Sequence, residues 1–216
     1  MKRAVVFDLD GTLCDSIGTV VATAEASFRA LDLPAPDVHV LRRAIGLPLS
    51  EVLRVAARGP VPDLDALTET YRGLYVPIAL ETERLFPGIQ AALAALRTAG
   101  HPLAVATGKA HAGAIAACTR LGIIDAVDAV HGILPGTPGK PDPAVLWRAL
   151  ADLKVAPEEA VVVGDSPYDL QMARAAGAAA WAVTWGSHPA NELAAQRPDA
   201  SFDHLDALLA HLLDNG

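Results

Sequence analysis

The sequence has few cysteines, few basic residues and no long apolar run, and each shortage excludes a class of protein. Its two cysteines, Cys14 and Cys118, form neither a CxxC pair nor a repeated spacing, which excludes a disulfide framework and a cysteine-based zinc site. No apolar stretch approaches the ~18 residues that a membrane-spanning helix requires. Lys and Arg number 17 against 25 Asp and Glu, and the net charge of −8 argues against a general nucleic-acid binder.

These shortages leave a protein that we expect to be reduced and cytoplasmic, without a membrane or nucleic-acid partner. No signal peptide is predicted, because residues 1–3 run directly into a short strand-like segment. Disorder is also excluded, because 52% of the residues are hydrophobic and only 19% are charged. A length of 216 residues predicts one domain with an additional segment rather than two equal domains.

Short apolar runs predict the strands of a parallel sheet. Four of them are rich in Val and Ala and lack a two-residue alternation, as expected of strands covered on both faces. They span residues 4–9, 102–106, 160–163 and 179–183, with a weaker candidate over 127–131. Segments with helical spacing lie between them, over 88–99, 110–121, 142–153 and 168–176. This alternation predicts an α/β fold.

One interval breaks the alternation. About 90 residues separate the first strand from the next, whereas a βαβ unit needs only about 30. Residues 16–83 contain no convincing strand and are predicted as four helices, over 16–30, 37–44, 49–58 and 63–76, separated by prolines that include Pro77. We therefore predict an α/β core over 1–15 and 84–216, with a helical insertion over 16–83.

Acidic residues follow two of the predicted strands directly. Asp8 and Asp10 follow the first strand, with Gly11 allowing a sharp turn, and Asp165 and Asp169 follow the strand that ends near Gly164. Ligands of open α/β sheets bind beyond the carboxyl ends of the strands, where buried like charges favour a cation such as Mg²⁺. The alternatives are an ordinary turn at Asp8-x-Asp10 and a helix cap at Asp169.

Two further loops predict contacts with an anion. Thr107-Gly108-Lys109 lies between a strand and a helix, where a hydroxyl and free backbone N–H groups form an anion site, although Thr-Gly is also an ordinary turn. Lys140 stands in the proline-rich loop before another helix, where a lysine is otherwise solvated. Neither Gly-Lys pair completes a Walker A motif, which argues against ATP.

Four motifs therefore occur in order: Asp8-x-Asp10-Gly11-Thr12-Leu13, Thr107-Gly108-Lys109, Gly139-Lys140-Pro141 and Gly164-Asp165-Ser166-x-x-Asp169. This set resembles the haloacid dehalogenase-like hydrolase superfamily, more narrowly its phosphoglycolate phosphatase/β-phosphoglucomutase-like branch, whose helical cap follows the first motif. The resemblance covers essentially the whole chain. It implies a Rossmann-like parallel core with helices on both faces and an inserted α-helical cap.

The resemblance also implies roles for the motif residues. Asp8 would be the nucleophile that forms an aspartyl-phosphate, and Asp10 the general acid and base. The implied Mg²⁺ ligands are Asp8, the backbone carbonyl of Asp10, Asp165, and Asp169 directly or through water. The implied phosphate-binding groups are Thr107, Lys109, Lys140 and the backbone near Gly11 and Gly108. Dehalogenases of the superfamily lack the second aspartate in this form, so Asp10 favours phosphoryl transfer over C–Cl cleavage.

The insertion is expected to act as a lid that contacts the leaving group of the substrate. Its predicted specificity loop is Gly46-Leu47-Pro48-Leu49-Ser50. Arg42 and Arg43 precede this loop and would meet a second anionic group or form a solvated helix face. Cys14 is interpreted as a packing residue, and the scattered histidines at 111, 131 and 188 lack the spacing of metal ligands.

The main functional prediction is a phosphatase for a small phosphorylated metabolite, with 2-phosphoglycolate as the first candidate. Three alternatives stay open: a phosphosugar mutase of the same branch, a pyrophosphatase, and a non-catalytic module that keeps the fold. The residues that would mark a mutase cap are not identifiable in this sequence. The sequence also leaves open whether the protein is a monomer or a dimer.

Overall fold

The computed structural model describes residues 2–214. Its strands are β1 (Ala4–Phe7), β2 (Cys14–Asp15), β3 (Arg84–Leu85), β4 (Leu103–Ala110), β5 (Ala129–Ile133), β6 (Ala160–Gly164), β7 (Ala179–Val183) and β8 (Ala200–Phe202). Its α-helices are α1 (Ile17–Ala30), α2 (Val38–Ala44), α3 (Leu49–Ala56), α4 (Leu64–Thr82), α5 (Ile89–Thr98), α6 (His111–Arg120), α7 (Ala144–Leu153), α8 (Pro167–Ala176), α9 (Ala190–Ala195) and α10 (Leu205–Asp214).

A parallel sheet forms the centre of the fold, which confirms the predicted α/β class. Over residues 2–214 it has six strands in the order β5–β4–β1–β6–β7–β8, with every neighbouring pair parallel. The carboxyl ends of the neighbouring strands β4, β1 and β6 therefore meet at one edge of the sheet. That edge brings the motifs around Asp8, Thr107 and Asp165 together.

Both faces of the sheet are covered, which explains why its strands show no alternation of polar and apolar residues. Val5 and Phe7 of β1 point into a core shared with helices α5, α6 and α10. Ala4 and Val6 point the opposite way, into a second core shared with α7, α8 and α9. Because each side chain of β1 is buried on one face or the other, every position selects an apolar residue.

The predicted insertion forms helices α1 to α4, which we call the cap helices. They enclose a hydrophobic cluster of their own, centred on Phe28, Leu41, Leu53 and Leu67. The chain leaves the core through β2 and returns through β3, and these two strands pair antiparallel, with Cys14 opposite Leu85. Exit and return are therefore adjacent, and we call β2, β3 and the residues next to them the hinge.

Several elements differ from the prediction. Helix α4 continues through Pro77 to Thr82 instead of ending at residue 76. The proline removes one backbone donor, and the packing of α4 against α1 stabilises the helix in spite of that loss. Strand β4 extends to Ala110, four residues beyond its predicted end. The sequence interpretation did not include β2, β3, β8, α9 or α10. The three strands and α9 are short and carry little periodic signal, whereas α10 has leucines at helical spacing, at positions 205, 208, 209, 212 and 213, which the interpretation missed.

Among residues 2–214, no helix combines the length and apolar character needed to cross a bilayer. Met1, Asn215 and Gly216, which belong to the predicted core segments, lie outside the described residues.

Candidate active site

A buried lysine joins two of the predicted carboxylates. Asp8 follows β1, and its Oδ1 lies 2.7 Å from Nζ of Lys140. The same Nζ lies 2.5 Å from Oδ1 of Asp169, on the first turn of α8. The three residues are at most 2% exposed. Lys140 is therefore a buried cation between two carboxylates rather than a solvated loop lysine.

Asp165 lies in the same cluster but is held by hydroxyl and amide donors. Thr12 donates its hydroxyl to Oδ1 at 2.9 Å. Ser187, in the loop after β7, donates both its backbone N–H and its hydroxyl to Oδ2 at 2.7 Å. These donors fix the carboxylate, and no basic side chain among residues 2–214 forms an ion pair with it.

Local sequence explains why the carboxylates face one another. Ser166 caps helix α8: its hydroxyl accepts a hydrogen bond from the Asp169 N–H, and the Asp169 carboxylate accepts one from the Ser166 N–H at 3.1 Å. This reciprocal cap turns Asp169 back toward Asp165. Gly11 has a φ of +81°, and a Cβ at that position would lie 2.8 Å from Cγ of Asp165. The turn after β1 therefore needs glycine both for its conformation and for its closeness to Asp165.

The cluster holds more negative than positive charge. Ligand oxygens of Asp8, Asp165 and Asp169 all lie within 4.8 Å of one another, and one ammonium, that of Lys140, contacts two of these carboxylates. Burial raises the pKa of Asp8 well above its usual range, although Lys140 opposes the shift. Burial and the charge of Asp169 likewise raise the pKa of Asp165 to about 6. Burial lowers the pKa of Lys140, but Asp169 and Asp8 outweigh it, so this lysine stays protonated.

This donor set fits a hard divalent cation. Three carboxylates against one ammonium leave two uncompensated negative charges in a buried site, and all the available ligand atoms are oxygens. A divalent cation would neutralise that excess, and Mg²⁺ is bound in proteins by few carboxylates together with water and substrate phosphate. Three of the residues predicted as ligands, Asp8, Asp165 and Asp169, form this cluster, and their binding of a metal stays a prediction. The side chain of Asp10 lies outside the cluster.

Asp10 has different neighbours from Asp8. Its Oδ1 accepts a hydrogen bond from the Ser16 hydroxyl at 2.5 Å and lies 3.1 Å from Nζ of Lys109. The side chain of Asp10 is 11% exposed, whereas that of Asp8 is 2% exposed. Two carboxylates that are two residues apart in sequence thus occupy different environments, one in the charged cluster and one beside it.

The cap contacts the motif loops directly. A Cβ on Gly108 would lie 2.5 Å from the carbonyl oxygen of Gly46 and 3.0 Å from that of Leu47. A Cβ on Gly139 would lie 2.6 Å from Cγ of Pro48. The predicted specificity loop therefore packs against the end of β4 that follows Thr107 and against the loop that carries Lys140. The cap helices thus contact the core at this edge of the sheet.

Comparison with known proteins identifies the family. The family model described as haloacid dehalogenase-like hydrolase matches residues 5–183. The chain belongs to this family. It is 35% identical to the probable phosphatase IndB of Dickeya dadantii, over 99% of this chain and 95% of that protein.

Other relatives of this hydrolase have different names. The phosphoglycolate phosphatase of Pseudomonas putida is 30% identical over 99% of this chain and 81% of its own. The tyrosine-protein kinase PtkA of Mycobacterium tuberculosis is 35% identical over 85% of this chain and 62% of its own. Among solved structures, a haloacid dehalogenase-like hydrolase of Streptococcus pneumoniae superimposes with a TM-score of 0.87 at 30% identity, covering 97% of this chain and 98% of that one.

Not every predicted site residue of this hydrolase faces the cluster. Arg42 and Arg43 are exposed on α2, and the guanidinium of Arg43 pairs with Glu192 of α9. The carbonyl of Arg43 accepts hydrogen bonds from the Tyr168 hydroxyl at 3.2 Å and from Nε2 of His188 at 3.1 Å. Arg43 therefore connects the cap helices to the core through its guanidinium and its carbonyl, and its charge already has a partner in Glu192. Ser50 lies at the exposed start of α3.

Lys109 was predicted to bind phosphate, but the structure gives its ammonium two other partners. Nζ lies 3.1 Å from Asp10 and donates to the Tyr75 hydroxyl at 2.6 Å. Thr107, also predicted to bind phosphate, is 1% exposed within β4, and its hydroxyl accepts a hydrogen bond from the Lys109 N–H at 3.3 Å. The last residues of β4 therefore border both Asp10 and the cap helices.

Cys14 is a packing residue, as predicted, because burial raises the pKa of its thiol. Sequence reasoning gave no role to Ser16, Tyr75, Glu83 or Ser187. Ser16 follows the Asp8 motif closely, and that position was the available signal, whereas Ser187 lies in the loop after β7, which the sequence analysis did not single out. Tyr75 and Glu83 carried no such signal, because they reach the site only through the cap and the hinge.

Proposed function

We propose that this hydrolase is an Mg²⁺-dependent phosphatase that cleaves a small phosphomonoester through an aspartyl-phosphate. One observation carries the proposal: the Asp8 carboxylate lies against Lys140 and within 4.8 Å of Asp165 and Asp169, while a second carboxylate, Asp10, stands beside the cluster. An anionic nucleophile can attack a phosphate dianion only where positive charge offsets their repulsion. Lys140 supplies that charge from the protein, and Mg²⁺ held by Asp8, Asp165, Asp169 and the Asp10 carbonyl would supply the remainder.

The proposed reaction has two displacements. In the first, a carboxylate oxygen of Asp8 bonds to phosphorus, the bond from phosphorus to the ester oxygen breaks, and Asp10 gives its proton to the leaving alkoxide. In the second, Asp10 takes a proton from water, the water oxygen bonds to phosphorus, and the bond to Asp8 breaks to release inorganic phosphate. Asp10 is protonated before the first step and again after the second, so the cycle balances.

The remaining residues position these groups. Lys140 orients Asp8 and neutralises charge on the phosphoryl group, and Thr12 and Ser187 hold Asp165. The hydroxyl of Thr107 and the backbone N–H groups near Gly11 and Gly108 would bind phosphoryl oxygens. We further propose that the cap helices open to admit substrate and close to exclude bulk water, since the loop at Gly46 packs on the Gly108 turn.

A panel of phosphorylated compounds tests the proposal, with phosphate release as the readout. It contains p-nitrophenyl phosphate, 2-phosphoglycolate, hexose phosphates, nucleoside monophosphates, pyrophosphate and ATP. The name of the Pseudomonas putida relative supports 2-phosphoglycolate as the first candidate. Hydrolysis of one or more monoesters is the expected result. Turnover of pyrophosphate alone, formation of ADP with transfer to tyrosine, or no turnover at all would contradict it.

The panel also separates the phosphatase from a phosphosugar mutase. A mutase must protect its aspartyl-phosphate from water and return the phosphoryl group to sugar. We expect the phosphorylated protein, formed in a single turnover, to hydrolyse as fast without added sugar as with it. Slow hydrolysis that is replaced by transfer when sugar phosphate is added would favour the mutase instead.

Removal of Mg²⁺ should abolish activity and lower stability. EDTA is expected to reduce phosphate release by more than about 100-fold, because the buried carboxylates then repel the substrate phosphate. Added Mg²⁺ should raise the thermal unfolding midpoint, and more so at about pH 8 than at about pH 5, where protons compete for Asp8 and Asp165. An Asp165→Asn variant should lose most of this thermal shift. An equal shift in both proteins would contradict the assigned ligands.

Replacement of Asp10 should affect substrates according to their leaving group. Asp10→Asn is expected to reduce kcat for an alkyl phosphate by about 10²–10⁴-fold, the usual contribution of general acid–base catalysis. Formation of the aspartyl-phosphate from p-nitrophenyl phosphate should be much less affected, because p-nitrophenolate leaves without a proton. Burst kinetics with that substrate would show rapid release of p-nitrophenol followed by slow turnover. Equal losses in both steps would contradict the role of Asp10 as the acid.

A further inference from the structure

A continuous chain of polar groups runs from Asp10 into the cap and the hinge. Nζ of Lys109 lies 3.1 Å from Oδ1 of Asp10 and donates to the Tyr75 hydroxyl at 2.6 Å. The Tyr75 hydroxyl in turn donates to the Glu83 carboxylate, which also pairs with the guanidinium of Arg120. We call Lys109, Tyr75, Glu83 and Arg120 the support chain of Asp10.

The support chain is largely buried, and its charges alternate. The Glu83 carboxylate is 1% exposed, and the side chains of Lys109 and Arg120 are 16% and 18% exposed. Glu83 is negative, Lys109 and Arg120 are positive, and Asp10 becomes negative once it has given its proton to the leaving group, so each buried charge then has an opposite neighbour. A buried charge that loses its partner is strongly unfavourable, and the members therefore hold one another in place.

Tyr75 contacts the ammonium of Lys109 through both its hydroxyl and its ring. The hydroxyl accepts from Lys109 and donates to Glu83, so both of its hydrogen-bonding roles are used. The ring of the same tyrosine lies 4.2 Å from Nζ of Lys109, a cation–π contact, and it stacks on Tyr71. Burial raises the pKa of Tyr75 well above its usual value, so the hydroxyl keeps its proton. A lysine has a flexible four-carbon stem, and these contacts restrict it.

The members come from separate parts of the fold. Tyr75 is on cap helix α4, Glu83 lies between α4 and β3 at the hinge, Lys109 is in β4, and Arg120 ends α6. The position of Lys109 therefore depends on the cap and the hinge as well as on the core. Nothing in the support chain touches Asp8, Asp165 or Asp169 through a hydrogen bond or ion pair among residues 2–214.

We propose that Tyr75 and Glu83 are positioning residues for the general acid: they hold the ammonium of Lys109 against Asp10 and so fix the carboxyl group that must reach the leaving oxygen. This inference rests on the proposed function, in which Asp10 protonates the leaving group. It assigns Lys109 to the orientation of Asp10 rather than to the phosphate, and it extends the site to a cap helix and the hinge.

Tyr75→Phe tests the inference, because it removes the hydroxyl and keeps the ring above Lys109. We expect kcat for the best alkyl phosphate of the panel to fall about tenfold, with KM changed less than about twofold. Release of p-nitrophenol from p-nitrophenyl phosphate should change little. The matched control is Tyr71→Phe, which removes a hydroxyl from the stacked neighbour outside the support chain and should leave both rates near wild type.

A double-mutant cycle tests whether Tyr75 acts through Lys109. Lys109→Met should reproduce the loss seen for the alkyl ester, and the double variant should be no slower than Lys109→Met alone. Additive losses would overturn the inference. A large rise in KM of the Lys109→Met variant for every substrate would also overturn it, because that result would assign Lys109 to phosphate binding. Glu83→Gln provides a second variant if Tyr75→Phe lowers the thermal midpoint, and it should show the same dependence on the leaving group.

Failure of this inference is distinguishable from failure of the proposed function. If Asp10→Asn slows the alkyl ester selectively while Tyr75→Phe and Glu83→Gln behave as wild type, the support chain has no positioning role and the proposed function stands. If Asp10→Asn behaves as wild type, the acid role of Asp10 is wrong and this inference falls with it.

Discussion

Asp8→Asn should abolish phosphate release on every substrate of the panel, by at least about 10³-fold. The physical reason is that an amide oxygen carries no negative charge and is a poor nucleophile, so the aspartyl-phosphate cannot form. The loss should be in kcat rather than KM, because the groups proposed to bind the phosphoryl oxygens, Lys140 and Thr107, are unchanged. Asp203→Asn, the same change at an exposed aspartate, is the control and should retain full activity.

Chemical trapping measures the same step directly. Wild-type protein quenched with acid during turnover of labelled substrate should carry a phosphoryl group that hydroxylamine removes, as an acyl phosphate requires. The Asp8→Asn variant should carry none. Wild-type turnover by Asp8→Asn, or trapped label that survives in it, would show that another residue is the nucleophile.

Lys140→Met should have the second-largest effect, on stability as well as on activity. Removing one partner of a buried ion pair typically costs about 3–5 kcal/mol, and Lys140 contacts both Asp8 and Asp169. We expect the metal-free variant to lose about that much free energy of unfolding, measured by urea denaturation. The kcat should also fall by about 10²–10³-fold, because the phosphoryl charge loses its preorganised cation. Lys154→Met, at an exposed position, should change neither quantity.

The stability of Lys140→Met should depend on pH in a defined direction. In the metal-free protein the folded-state pKa values of Asp8 and Asp165 already lie above their unfolded values. Such groups bind more protons in the folded state, so stability falls as pH rises from the unfolded pKa, about 4, through the folded one. Loss of Lys140 raises the pKa of Asp8 further. The deficit should therefore be larger at about pH 8 than at about pH 5, and a constant deficit would contradict the charge argument.

The sequence predicted the parallel α/β fold because strands that are buried on both faces occur in a sequence as short continuous apolar runs. Residues such as Val5 and Val6 lie on opposite faces and are both apolar, since helices cover each face. The four cap helices were predicted because residues 16–83 contain no convincing strand and are divided into segments by prolines. The division into core and cap at residues 15–16 and 83–84 stays a prediction, although β2 and β3 pair at those positions.

Asp8, Lys140, Asp165 and Asp169 were also accessible from the sequence, because each lies in a motif at or after the end of a strand or in the loop before a helix. Parallel topology brings such positions to one edge of the sheet, so their grouping followed from the order of the elements. Their roles in catalysis and metal binding stay predictions for the experiments above. The expected contact of Arg43 with an anionic substrate group has less support, because its guanidinium pairs with Glu192.

The sequence by itself determined the fold class and the family of this protein, and it pointed to four carboxylates and a lysine. Only the tertiary structure decided the partners of those charges. Lys140 contacts Asp8 across 132 positions of sequence, and Lys109 contacts Tyr75 across 34. Periodicity and motifs indicate which residues lie near one another within a single helix, strand or loop. Contacts between elements depend on how the cap closes on the core, and for that reason the support chain of Asp10 became visible only in three dimensions.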